Sequence, residues 1–207
     1  MAFVKNSTAS VDSALPYFST REEAIVFFER NSDLDKKSYA IDEIVKFDGG
    51  ASFLVDRLIS IDVGKELLSH IGATLSKLDP KKAPIEQIME LLKINNAYVR
   101  NLAISILQDY GESIRYYIVK FLIGDDPDLR IFAINVLGDV NFSESREMLA
   151  ELLQTEENLN VAMTAVDYMG EIGEIEDIDL LKKVADRFKD EPYVQFGVEG
   201  AIKSIEG

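Results

Sequence analysis

The chain has 207 residues, 47% of them hydrophobic and 29% charged, a composition that can bury a core and that is not that of a disordered polymer. With 37 acidic residues against 22 basic ones the formal net charge is −15, so the surface repels phosphate backbones and anionic membranes and argues against nucleic-acid or membrane binding. There is no cysteine, which removes disulfides, thiol nucleophiles, iron–sulfur clusters and Cys-based zinc sites together and fits a reducing compartment.

The N-terminal stretch MAFVKNSTASVDSALPYF carries one early Lys and no sustained apolar run, so it does not read as a signal peptide. No window approaches the ~20 apolar residues of a membrane span, and a soluble, cytoplasmic protein is the expectation. Residues 1–19 are polar and lack a helical period. They are expected to form an arm that is disordered or caps the first repeat, with Tyr17 and Phe18 as candidates for docking.

From residue 20 to residue 207 the chain alternates two kinds of helix. The first kind is a short apolar stripe: REEAIVFFER, ASFLVDRLI, PIEQIMELL, SIRYYIVKFL, SREMLAELL and IDLLKKVADRF, in chain order. Each is followed by a polar turn, such as IGDDPD or QTEENLN, and by a second helix. The second helices share a small residue at one phase. Ala103, Ala133, Ala165 and Val198 anchor four clear copies, and Ala40 and Ser69 two weaker ones, with spacings of 29, 34, 30, 32 and 33 residues. A period of this size is the signature of a stacked array.

The copy around Ala133 is the clearest. Asp126 stands at the N-cap and Pro127 at the first helical position, where its missing N–H leaves nothing unsatisfied. Leu129, Phe132, Ala133, Val136 and Leu137 then follow helical spacing on one face. Asn96, Asn158 and Glu191 take the place of Asp126 in other copies, and Gly111 and Gly173 stand where a left-handed exit is expected. No segment alternates with period two for long enough to require a sheet. The fold class is all-α, with helix pairs stacked into a solenoid.

The segments D-x-x-L-R-x-x-A-I-x-x-L-G at Asp126–Gly138 and N-x-x-V-R-x-x-A-I-x-x-L at Asn96–Leu107 resemble the second helix of HEAT repeats. The period near 30 is similar to the short HEAT-like type first noted in phycobilisome bilin lyases. The resemblance covers about residues 20–206 and is strongest over residues 85–173. The Trp/Leu-Gly/Tyr pattern of tetratricopeptide arrays and the T-P-L-H of ankyrin arrays are missing. The resemblance implies a right-handed α-solenoid of about six helix pairs. It also implies a turn ladder in which an Asp and a following Arg recur; Asp126 with Arg130 fits, and Asn96 with Arg100 fits in part, whereas Ala162 and Gln195 occupy the Arg position later. Arg100 and Arg130 are read as structural, their guanidinium groups satisfying turn carbonyls.

Chemistry is sparse. His70 is the only histidine, too little for a zinc or iron site. Asp177 and Asp179 in EIEDIDLL lack the glycine and closing Glu of a calcium loop. Phosphate-binding, dinucleotide and nucleophile-elbow motifs are all missing. No catalytic, cofactor or metal residue is assigned, and no enzyme activity is expected.

A binding face can be found by rotation at about 100° per residue. Counting from Val99, Leu129, Val161 and Val194, the position two residues on reads Asn101, Ile131, Met163 and Phe196. The position six residues on reads Ser105, Asn135, Asp167 and Gly200, and ten residues on Asp109, Asp139, Glu171 and Ser204. An apolar row flanked by small or acidic residues suits a protein-binding groove, although curvature can equally turn such a row against the next repeat. The candidate groove residues are Ile131, Met163, Phe196, Asp167, Glu171, Asn101, Asn135 and Asp139. The expected function is a non-catalytic scaffold holding a protein or peptide, such as a basic amphipathic helix, on its concave face without a cofactor. The alternatives are an accessory subunit of a bilin-lyase-like modifying system, implied by the resemblance alone, and a HEAT-like enzyme acting on nucleic acid, which requires a basic concave face.

Overall fold

The computed structural model describes residues 15–60, 63–138, 140 and 144–207. The described residues contain twelve α-helices and no strand, arranged as six consecutive pairs. The pairs are α1 (Arg21–Arg30) with α2 (Leu34–Ile44), α3 (Gly50–Leu58) with α4 (Lys65–Leu75), and α5 (Ile85–Glu90) with α6 (Ala97–Asp109). They continue with α7 (Arg115–Leu122) and α8 (Pro127–Gly138), α9 (Ser145–Thr155) and α10 (Leu159–Ile172), and α11 (Ile178–Arg187) and α12 (Pro192–Glu206). All six apolar stripes of the sequence are first helices of these pairs. No helix among the described residues is long and apolar enough to cross a membrane.

The starts of α1, α2, α6, α8 and α10 are set by short polar side chains that take the first free N–H groups. Thr20 accepts from Glu23 N at 3.2 Å, Asp33 from Lys36 N at 2.9 Å, and Asn96 and Asn158 each from two amides of α6 and α10. Asp126 accepts from Asp128 N at 2.9 Å, as its position before Pro127 predicts. Glu191 starts α12 without a side-chain cap bond. Gly111 leaves α6 with φ +52, the left-handed turn expected there. Gly173 instead exits extended, at φ −71 and ψ 161. Glycine is required there by crowding, since a Cβ would lie 2.4 Å from the Met169 carbonyl and 2.9 Å from Ile205 Cδ1.

The second helices touch one another in succession from α2 to α12, and they pack more closely than the first helices do. A stack whose one layer is tighter curves toward that layer, which places the second helices on the inner side. Close approach needs small residues at the crossing. Ala40, Ala103, Ala133 and Ala165 are completely buried, and Val198 nearly so. Ser69, aligned with them by size, is exposed; Gly72 holds the anchor position in α4, with Leu102 Cδ2 of α6 only 3.0 Å from where a Cβ would stand. With Gly72 in place the first spacings become 32 and 31 residues, and the array is more regular than the sequence alignment made it.

The arm docks through one of its two aromatic candidates. Phe18 is buried against Phe27 and Tyr39, with ring centroids 5.3 and 5.9 Å away, while Tyr17 is exposed. The Tyr39 hydroxyl donates to the Pro16 carbonyl at 2.7 Å and fixes that approach. The rest of the arm, residues 1–14, lies outside the described residues.

The turns between paired helices leave partly buried carbonyls, and arginine satisfies several of them. Arg100 Nη1 donates to the Ile94 carbonyl and Arg130 Nη1 to the Gly124 carbonyl, each at 2.7 Å and each six residues back along the chain. Arg130 also forms a two-pronged pair with Glu156 of the next repeat, at 2.8 and 3.0 Å. The acid partner of Arg130 is therefore Glu156 and not Asp126. In the fifth pair Ala162 stands where the arginine would be, and Arg187 reaches over from the sixth pair to the carbonyls of Leu153, Gln154 and Glu156. Gln195 stands at that position in the last pair and donates at 2.8 Å to a carbonyl further back, that of Ala185.

This packing sets two stability outcomes. Ala133→Leu adds three heavy atoms at a fully buried crossing and is expected to destabilise by roughly 1–3 kcal/mol, seen as a lower urea midpoint. Arg130→Met strands the buried Glu156 carboxylate and is expected to cost about 3–5 kcal/mol; adding Glu156→Leu should restore much of that loss in a double-mutant cycle.

Candidate functional site

The inner face of the stack is built from the solvent side of the second helices. Offsets counted along each helix predict which side chains emerge there, and the structure sorts the eight candidates into three groups. Phe196, Asp167, Glu171 and Asn101 are exposed. Ile131, Met163 and Asn135 are half-buried. Asp139 lies outside the described residues.

The apolar row therefore does not stand clear of the protein along its length. Ile131 and Met163 pack against the core, and the Met163 methyl carbon lies 2.5 Å from where a Cβ on Gly197 would be, so it rests directly on the glycine of α12. The physical reason is the tight approach of α8, α10 and α12, which folds the side chain of one helix onto the next. Phe196 has no later helix among the described residues to cover it, and it remains 80% exposed. Ile131 and Met163 belong to the packing between second helices and do not project beside it.

Three candidates nevertheless converge. Asp167 and Glu171, one turn apart on α10, and Phe196 on α12 line a shallow depression of about 340 Å³ between the two helices. Gly170, Gly197, Gly200 and Ala201 form its floor, and Ser204 lies at its end. The small floor follows from the crossing, because a Cβ on Gly170 would stand 3.1 Å from the Ala201 Cα. A matching depression of about 670 Å³ lies between α4 and α6, lined by Ser69, Ala73, Leu102, Ser105 and Asp109 among others. The inner face thus repeats one plan, with small residues at the bottom and acid at the side.

The carboxylates of this face differ in their surroundings. Although the residue is exposed, the helices flanking the depression desolvate the Asp167 carboxyl in part and raise it above the ordinary aspartate value of 3.8, and the like charge of Glu171 adds to the effect. Among the described residues neither carboxylate has an ion pair to relieve it. At the other end of the same face Asp42 is already engaged, accepting from Thr74 Oγ1 at 3.2 Å and lying 2.9 Å from His70 Nε2. The lone histidine thus bridges α2 and α4.

The remaining sequence candidates are structural. Arg100 and Arg130 cap turns. Asp177 accepts from Arg146 at 2.7 Å and from Glu174 N at 2.9 Å, so it clamps the fifth pair to the sixth; Asp179 is exposed beside it. Sequence reasoning did not find Glu156, Arg146 or Arg187. Their partners lie 26 to 34 residues away at positions that do not repeat, so no periodic signal marks them.

Residues 117–202 match the family model described as HEAT repeats. No curated protein matches the sequence. Among solved structures, a designed armadillo repeat protein is similar at 13% identity and a TM-score of 0.40, over 90% of this chain and 100% of that one. An engineered protein is similar at 16% identity and a TM-score of 0.39, over 90% of this chain and 96% of its own. The complex of CpcE and CpcF of phycocyanin lyase from Nostoc sp. PCC7120 is similar at 17% identity and a TM-score of 0.35, over 99% of this chain and 100% of that chain.

The raised Asp167 pKa has a thermodynamic consequence. The folded chain binds this proton more tightly than the unfolded chain, so ionisation of Asp167 weakens folding once the pH rises above the ordinary aspartate range. Asp167→Asn is expected to raise the urea midpoint at pH 7, with the gain shrinking as the pH is lowered toward about 4.

Proposed function

We propose that this HEAT-like helical stack is a non-catalytic scaffold that holds a protein or peptide on its second-helix face. The observation that carries the reading is the pairing of Phe196, 80% exposed, with two acidic side chains that have no ion-pair partner among the described residues, across a floor of glycine and alanine. An exposed aromatic ring beside a shallow depression supplies an apolar anchor. Asp167 and Glu171 supply charge for Lys or Arg one turn away on a bound helix. A basic amphipathic helix satisfies both, and the small floor lets its backbone come close. Asn101 and Asn135 offer side-chain amides further along the same face. The acidic balance supports a basic protein partner over a nucleic acid, whose phosphates it repels.

The test is binding of a fluorescent amphipathic helix built from leucine and lysine, followed by anisotropy. Phe196→Ala is expected to weaken binding by about 1–2 kcal/mol, roughly five- to thirtyfold, while leaving the thermal midpoint unchanged because the ring is exposed. Met163→Asp is a poor probe, since its half-buried side chain supports the core and its loss would confound binding with folding. Equal affinity for the Phe196→Ala variant and the unmodified chain would sink the assignment.

A further inference from the structure

The first-helix layer contains a cleft that the inner-face reading does not use. It lies between α7 and α9, has a volume of about 510 Å³, and shares no lining residue with the depression beside Phe196. Its origin is the sparse contact between two helices that an ion pair joins near their N-terminal ends. Arg115, the first residue of α7, pairs with Glu144 just before α9 at 2.7 Å. Beyond that bridge the two helices pack loosely, whereas α9 and α11 pack closely and are clamped by Arg146 and Asp177. The C-terminal halves of α7 and α9 therefore stand apart, and the gap between them is the cleft.

Five large apolar side chains form part of its wall. Val119, Leu122 and Ile123 come from α7 and its C-terminal end, and Met148 and Leu152 from α9. Ile123 is 78% exposed and Val119 is 39% exposed. Tyr116, 83% exposed, stands one turn before Val119 on the same face of α7, so the stripe of three large side chains runs to the cleft mouth. No described part of the chain covers them.

The rim is acidic. Asp125, Glu151 and Glu157 line the cleft and are exposed, and none of them makes an ion pair among the described residues. Arg130 and Glu156 also reach its wall, but they neutralise each other in their two-pronged bond. An apolar slot with three unopposed carboxylates selects a bulky apolar side chain carried between basic residues. A second copy of this chain is a poor occupant, because its own net charge is −15.

We infer that the α7–α9 cleft is a second docking site, for a short basic segment of a partner protein that inserts one large apolar side chain between Ile123 and Met148 with Lys or Arg on either side. The site is separate from the inner face, and its failure leaves the inner-face reading intact.

The probe is a blocked pentapeptide with Phe at its centre and two Lys on each side, titrated into the full chain with methyl-labelled Ile, Leu, Val and Met and followed by NMR. Saturable shifts are expected at Ile123, Val119, Met148 and Leu152, and a Glu-flanked version of the peptide should give none. Ile123→Glu should abolish the shifts without changing the thermal midpoint, since the side chain is exposed. The double charge reversal Glu151→Lys with Glu157→Lys should weaken binding several-fold, and Phe196→Ala should leave it unchanged. Shifts confined to Ile131 and Met163, or no saturable shift, would overturn the assignment. Self-association of the free chain that Ile123→Glu abolishes would also overturn it, by making a second copy the occupant.

Discussion

Each helix pair leaves carbonyl groups at the turn where its first helix stops, and the next pair covers them. A buried carbonyl without a donor costs about 1–3 kcal/mol, so a donor supplied at such a turn favours growth of the stack. In the third and fourth pairs that donor is an arginine on the second helix, bound to the carbonyl six residues earlier. In the fifth pair the same carbonyl, that of Glu156, is reached by Arg187 from the pair beyond. The position of the carbonyl is kept while the source of the guanidinium changes. Across these three pairs the constant is a satisfied acceptor two residues before the N-cap, and the residue that satisfies it varies.

The two halves of the chain solve this differently, which accounts for the uneven strength of the repeat in the sequence. The first pair uses Asn31, whose side-chain amide donates to the Phe27 carbonyl at 2.7 Å, and it leans on aromatic packing of Phe18, Phe28 and Phe53. Tyr110 ties the second and third pairs by donating to the Leu75 carbonyl at 2.8 Å. Arginine bridges dominate from Arg100 onward. A motif built on the turn arginine therefore reads clearly only after residue 85, and the matched HEAT repeats span 117–202.

Helix existence, pairing and most crossing residues were legible because they rest on local rules: a capping oxygen, a 3.6-residue apolar period, and a small residue at one phase. Ser69 misled because serine and glycine are both small, and only burial separates the exposed Ser69 from the buried Gly72. The site was half legible for a related reason. Rotation along a helix shows which side chains leave the core of that helix, and it placed Asp167, Glu171 and Phe196 around one depression. It carries no information on how near the next helix lies. That distance decided the fate of Ile131 and Met163, which the neighbouring helices half cover. The α7–α9 cleft escaped sequence reading altogether, since it depends on a splay between helices that are not consecutive in the chain.

The same use of arginine shapes the surface that a partner meets. Six of the eight arginines are bound to carbonyls or carboxylates: Arg21, Arg100, Arg115, Arg130, Arg146 and Arg187. Arg115, Arg130 and Arg146 cancel carboxylates locally, and Arg100 and Arg187 turn toward the backbone of the turns. The acids they leave unopposed are not spread evenly. Asp167 and Glu171 border the aromatic ring on the inner face, and Asp125, Glu151 and Glu157 border the aliphatic slot on the outer one. At physiological salt a charge is felt over about 8 Å, so what matters to a docking segment is this local excess and not the total over the chain. Each apolar patch therefore lies within its own field of negative charge, and the arginines that would have screened it are held in the turns that keep the stack together.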